Sequence, residues 1–167
     1  MMKSSGDGKA FGERFLADAM LGKLCRWMRF LGYDVEYADS SMEDDDIIMK
    51  CSSSGLILIT MDVDLSQRLG RSILLRSFDI DDQLLTILDA YPIDREKEMS
   101  RCPVCNGILS LRSGSAGASV PAAIARNFHE IWECTGCGRI YWKGSHYDRI
   151  TKKLSELRNE NNISREK

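Results

Sequence analysis

The chain of 167 residues has no apolar run long enough to cross a bilayer. Its longest, Leu56 to Met61, carries Thr60 inside it, whereas a spanning helix needs about 20 apolar residues. No membrane partner is therefore expected. The first dozen residues, MMKSSGDGKAFG, lack the apolar stretch of a secretion signal and read as a disordered lead-in over residues 1–12. No internal repeat is visible. With no sign of export, the expected setting is a reducing cytoplasm, where paired cysteines favour metal over disulfides. Strong charge of one sign is also missing overall, since the net charge is −2. That balance hides an asymmetry. Residues 1–99 hold 12 Lys and Arg against 19 Asp and Glu, whereas residues 100–167 hold 11 against 6. An acidic half joined to a basic half suits a bound cation beside a phosphate-attracting surface, although two solvated surfaces would look the same.

What is present alternates between strand-like and helix-like segments. Arg14–Ala17, Asp34–Tyr37, Leu56–Thr60 and Ser72–Leu75 read as strands, and LILIT has the unbroken apolar character of a central strand buried on both faces. Helices are expected over Met20–Leu31, Asp44–Ser53, Asp62–Leu69 and Asp81–Tyr91. In the first, Met20, Leu21, Leu24, Met28 and Leu31 share an apolar face and Lys23, Arg26 and Arg29 the opposite one. Gly32 ends that helix, and Asp44 to Asp46 give the second an acidic first turn. This alternation predicts an α/β fold, a parallel sheet with helices on both faces, over residues 13–99. Pro92 to Ser100 reads as a linker. Residues 100–147 form a second module, in which SGSAGAS (113–119) is a flexible loop. Residues 148–167 form a C-terminal helix, Thr151–Asn159, and a frayed tail.

The second module contains two C-x2-C pairs, Cys102 with Cys105 and Cys134 with Cys137, separated by 28 residues. Each pair can set two sulfurs about 3.7 Å apart on a turn, which suits tetrahedral zinc with Zn–S bonds of ~2.3 Å. Gly107, Gly136 and Gly138 follow the pairs and favour tight turns. A site closed by four thiolates has no open position, so this zinc is expected to be structural. It would hold together a module too small to fold alone. Two disulfides are the blander alternative. Cys25 and Cys51 are left over and read as buried, inert thiols. His129 stands near Cys134 but reads as a surface residue.

In a parallel sheet, Asp18, Asp62 and Asp64, just past two strands, fall on one edge, where open α/β folds bind ligands. Glu43, Asp44, Asp45 and Asp46 open a helix whose N-terminus can face that edge. Gathered carboxylates repel one another unless a cation lies among them. All-oxygen ligation suits Mg²⁺ or Mn²⁺, which can activate water for attack on a phosphodiester. The blander reading makes Asp18 and Asp44 helix N-caps and Asp62 and Asp64 turn residues. Lys23, Arg26, Arg68 and Arg71 are candidates to flank the acids and hold phosphates, with a solvated helix face as the alternative for the first two. Tyr141, Trp142, Lys143 and His146 interleave aromatic and basic groups, suiting either the stacking of single-stranded bases or packing of the second module against the first.

Several stretches together resemble one family. They are FLADAMLGKLCRWMRFLGYDVEY, EDDDII, LILITMDVDL, the Gln83-Leu84-Leu85 segment, CPVCNGIL, CTGCGRIYWKGSHYDR and Pro121, in order from Arg14 to about Leu154. The family is the Mut7-C PIN-like ribonuclease family, a PIN-type fold fused to a zinc ribbon. The resemblance implies a three-layer α/β/α nuclease domain with RNA as its partner and Mg²⁺ or Mn²⁺ held by catalytic acids. By that resemblance the ligands are Asp18, Asp62, Asp64 and one helix-opening acid. Asp44 fits the family's D-x-x-I spacing best, with Asp45 as the alternative. Cys25 departs from the small apolar residue of relatives. The leading expectation is a metal-dependent ribonuclease whose ribbon aids RNA binding through Trp142, Lys143 and His146. The competing class is a non-enzymatic RNA-binding or ribosome-associated zinc-ribbon protein. A phosphoaspartate receiver would need a Lys beyond the Ser72–Leu75 strand, where Arg76 stands, and a phosphatase built on Asp62-Val-Asp64 would need more chain.

Overall fold

A computed structural model describes residues 12–112, 120 and 122–165. The lead-in up to residue 11, the SGSAGAS loop, Pro121 and the last two residues of the tail therefore lie outside the described residues. Four short strands, β1 (Arg14–Ala17), β2 (Asp34–Tyr37), β3 (Ile57–Thr60) and β4 (Ser72–Leu74), form one parallel sheet in the order β2-β1-β3-β4. Four helices alternate with them: α1 (Gly22–Phe30), α2 (Asp44–Ser54), α3 (Val63–Leu69) and α4 (Ile80–Ala90). The strands are apolar on both sides because both faces are covered. Phe15, Ala17, Ile57 and Ile59 point into a core shared with Leu24 and Met28 of α1 and Leu84, Ile87 and Leu88 of α4. Leu16 and Leu58 point the other way, against Ile47 and Cys51 of α2 and Leu65 of α3. The result is a sheet flanked by helices, as expected, with each fully buried aliphatic contributing about 1.5–3 kcal/mol.

The first helix departs from its expected form in three ways. It begins as a 3-10 turn over Ala19–Leu21 and becomes α-helical only from Gly22. Met20 is exposed rather than part of the apolar face. Arg29, assigned to the solvent face, is buried. Its Nε donates to Val35 O at 2.8 Å and its Nη1 to Val104 O at 2.8 Å. Gly32 closes the helix at φ +97°, and a Cβ there would lie 2.3 Å from the Lys97 carbonyl oxygen, so only glycine fits. The supposed linker is thus packed against α1. It contains a 3-10 turn (Arg95–Lys97), and Met99 is buried with its N–H donating to Phe30 O.

The second module is an antiparallel sheet of β5 (Leu109–Arg112), β6 (Ile131–Cys134) and β7 (Ile140–Trp142). A short helix, α5 (Ala122–Asn127), which was not anticipated, lies between β5 and β6. The last helix, α6, runs Ser145–Arg165, replacing the expected Thr151–Asn159 helix and frayed tail. It docks through Leu154 and Leu157, both in the main core, while Lys153 Nζ pairs with Asp81 of α4 at 2.5 Å. Cys102, Leu109 and Cys134 of the ribbon belong to the same core.

The ribbon also seals the outer side of β2. Val35 N–H donates to Asn106 Oδ1 at 3.3 Å, and Asn106 Nδ2 and Arg101 Nη2 donate to the two oxygens of Asp34 at 2.7 and 2.9 Å. With Arg29 on Val35 O, both backbone groups that this residue turns away from the sheet are satisfied. No helix among the described residues is long and apolar enough to cross a membrane.

Candidate functional site: an acidic sheet edge and a four-cysteine cluster

The parallel pairing of β1 with β3 aligns Ala17 with Ile59, so the next residues, Asp18 and Thr60, meet at the carboxyl end of the sheet. Asp18 N–H extends the ladder to Ile59 O at 3.0 Å. The fully buried Thr60 hydroxyl donates to Asp18 Oδ2 at 2.7 Å and accepts from Asp62 N–H at 3.0 Å. One hydroxyl therefore bridges the Asp18 carboxylate and the Asp62 main chain, just past the ends of β1 and β3. Both also cap helical turns. Asp18 Oδ1 accepts from Ala19 N–H, and Asp62 Oδ1 accepts from Leu65 N–H at the start of α3. Capping does not exhaust a carboxylate, which has about four lone-pair sites.

The other acids stand apart from this pair. Asp64 is exposed in the first turn of α3. The exposed Asp44 and Asp45 open α2 and pair with Arg68, Asp44 at 3.6 Å. Glu43, not Asp44, is the N-cap of α2. Arg68, expected on phosphate, is thus engaged by acids. Arg71 pairs with Glu13 and the Gly55 carbonyl, at the opposite end of the sheet. Lys23 and Arg26 lie exposed on α1 with no ion pair among the described residues. Asp18 and Asp62 could contribute to a site for a hard divalent cation, since Mg²⁺ is commonly held by one or two carboxylates with water and phosphate oxygens completing its shell.

The ribbon ligands are far more concentrated. The sulfurs of Cys102, Cys105, Cys134 and Cys137 all lie within 4.8 Å of one another, the only such group of His, Cys, Asp or Glu among the described residues. Two turns of similar form create it. Cys102 N–H donates to Gly107 O, and Asn106, with φ +66°, reverses the first turn. Gly136 and Cys137 N–H groups point at Cys134 Sγ in the second. A Cβ on Gly107 would fall 2.8 Å from Cys134 Sγ, so glycine lets the turns close on each other. Burial acts to raise the Cys102 thiol, but the Tyr141 hydroxyl, 3.0 Å away, and the Cys105 and Val104 backbone outweigh it and draw the group down to about 7. A sulfur set of this kind could hold zinc. Cys25 and Cys51 are buried elsewhere, with burial pushing Cys51 up to about 11, and the exposed His129 is outside the cluster.

The basic-aromatic run after the ribbon serves packing at several points. Lys143 pairs with Glu130 at 2.9 Å and lies over the Trp132 and Tyr147 rings, and the Glu130 hydrogen bond raises its pKa. Trp142 stacks obliquely on Phe128 and, with Arg26 and Trp27, lines an apolar cavity of about 550 Å³ between α1, the ribbon and α6. His146 lies in the first turn of α6, and its side chain is outside the described residues.

Comparison with curated proteins and with solved structures yields no match. Comparison with protein families does: the model described as Mut7-C RNAse domain matches residues 13–154, spanning the sheet, the ribbon and the start of α6.

Proposed function

This chain belongs to the Mut7-C RNAse domain family, and from that premise we propose that it is a ribonuclease that depends on Mg²⁺ or Mn²⁺ and carries a structural zinc. The observation that supports this most is the Thr60 hydroxyl, which donates to the Asp18 carboxylate and accepts from the Asp62 backbone N–H at the edge where an open α/β sheet binds ligands. A divalent ion there would neutralise phosphate charge and activate water. Asp18 and Asp62 are its anchors, with their carboxylates oriented by Thr60, Ala19 and Leu65. Asp64 and Asp44 stand as outer acids, and Asp44 joins when Arg68 releases it. Lys23 and Arg26 supply unpaired positive charge along α1 for the RNA backbone and for charge that develops in the transition state. On the ribbon, Trp142 shares a cavity rim with Arg26 and is better placed for RNA than Lys143, whose charge Glu130 takes. We place the protein in a reducing compartment such as the cytoplasm, where four thiols stay available for zinc.

The test is incubation of the purified protein with single-stranded and structured RNA in Mg²⁺, Mn²⁺ or EDTA. Cleavage to 3′-hydroxyl and 5′-phosphate ends is expected with either ion and not with EDTA. Asp18→Asn and Asp62→Asn should each lower the rate at least about 100-fold, above the 10- to 100-fold typical of partners that merely orient metal ligands, while RNA binding persists. RNA binding by the native chain without cleavage under any condition would sink the enzyme and leave the non-enzymatic RNA-binding class.

A further inference from the structure

Beside Asp62 the sheet edge opens into a cleft of about 430 Å³, whose lining includes Met20, Val63, Arg76 and Phe78. Its walls are unusual for this molecule. Phe78 is 85% exposed, Met20 61% and Val63 47%, three of the eight large apolar side chains that the described residues expose. Exposed apolar groups that converge on one concavity mark a binding surface.

The Phe78 ring is held in place by its loop. Asp79 caps α4 by accepting from Asp81 and Asp82 N–H groups, and Ser77 Oγ donates to Asp82 and accepts from Asp79 N–H. From below, the buried Gln83 donates its side-chain amide to Ser77 O at 2.9 Å. The segment on either side of Phe78 is therefore tied down while the ring faces solvent, so little ordering remains to oppose binding. Arg76, two residues earlier, is exposed and has no ion pair among the described residues. An aromatic face, a guanidinium and a carboxylate edge match three features of RNA at a cleavage site: a base, its adjoining phosphate and a scissile phosphate that a cation would accompany.

We propose that this cleft is a base-binding subsite that takes one unpaired nucleobase next to the scissile phosphate, stacked on Phe78 with Arg76 on the adjoining phosphate. The subsite rests on the ribonuclease reading and gives it a substrate class. A base inside a duplex cannot turn onto Phe78, so single-stranded RNA is preferred over duplex.

The test uses full-length protein with Asp18→Asn as a non-cleaving background and fluorescence anisotropy with a labelled single-stranded oligoribonucleotide and its duplex. Phe78→Ala and Phe78→Leu should weaken single-strand binding about tenfold, within the range of one lost base–aromatic stack. Phe78→Trp should restore it, and duplex binding should respond to none of them. In the cleaving protein the same variants should raise KM for single-stranded RNA. Thermal melts check folding, and Phe78→Leu carries the test if the alanine variant is unstable. Unchanged single-strand binding in both variants, with divalent-dependent cleavage by the native chain intact, overturns the subsite and leaves the nuclease standing. Absence of cleavage by the native chain overturns the nuclease and, with it, a subsite beside a scissile bond.

Discussion

The two metal-binding candidates of this molecule are built to opposite plans. In the ribbon, four sulfurs already lie within 4.8 Å of one another. At the sheet edge, Thr60 bridges the Asp18 carboxylate and the Asp62 backbone, while Asp44 and Asp45 turn to Arg68. The difference follows from charge. Two turns gather the sulfurs, and the Tyr141 hydroxyl and the backbone N–H groups beside them offset negative charge on sulfur. Carboxylates at neutral pH repel, and each one brought closer needs a counter-charge. The ribbon is thus the tighter of the two candidates, and the acidic edge a loose one that would leave room for water and substrate oxygens around an ion.

The largest effect expected from breaking this contrast is on the ribbon side. Cys134→Ser removes one of the four gathered thiols, a side chain that is also part of the main core. Structural zinc in small modules contributes about 10–16 kcal/mol, so the variant should lose stoichiometric zinc and its ribbon structure, seen by metal analysis and circular dichroism. Next is Arg29→Met, which keeps an apolar stem but strips the buried donors from Val35 O and Val104 O. Losing a buried, charged hydrogen-bond partner should cost about 3 kcal/mol, measured by urea unfolding. On the loose side, Thr60→Val deletes the hydroxyl between Asp18 and Asp62 with little change in shape. Stability should fall about 1–2 kcal/mol, and the Mn²⁺ concentration for half-maximal cleavage should rise severalfold. Smallest is Arg68→Ala. Its ion pairs are exposed, so stability should change by less than about 1 kcal/mol, yet freeing Asp44 and Asp45 should lower the Mn²⁺ requirement. A raised requirement would show that Arg68 positions the acids.

Much of this was legible from residue patterns. The unbroken apolar strands marked β1 and β3, and the paired cysteines marked the metal cluster, because both signals are local. Arg29 was not, since its partners stand at Val35 and Val104 and only folding brings them near. The available clue was Cys25, one helical turn earlier and buried, which places Arg29 toward the core. The length of α6 was missed because its polar residues obscure a seam of Tyr147, Ile150, Leu154 and Leu157, spaced three and four apart against the core. Asp44 was preferred over Asp45 because it fits the family's D-x-x-I spacing, and spacing does not reveal that Arg68, on the next helix, pairs with both acids. Phe78 carried no periodic signal. It stands out only once burial shows that, among the described residues, it is the large apolar side chain left most exposed, at 85%.

The seal that Asn106 and Arg29 place over Val35 also bears on how the sheet ends. Asn106 sits inside the first cysteine turn, so the turn that gathers the sulfurs also guards a strand border. An unguarded border templates pairing with another chain. Asn106→Ala should therefore raise self-association, read by analytical sedimentation.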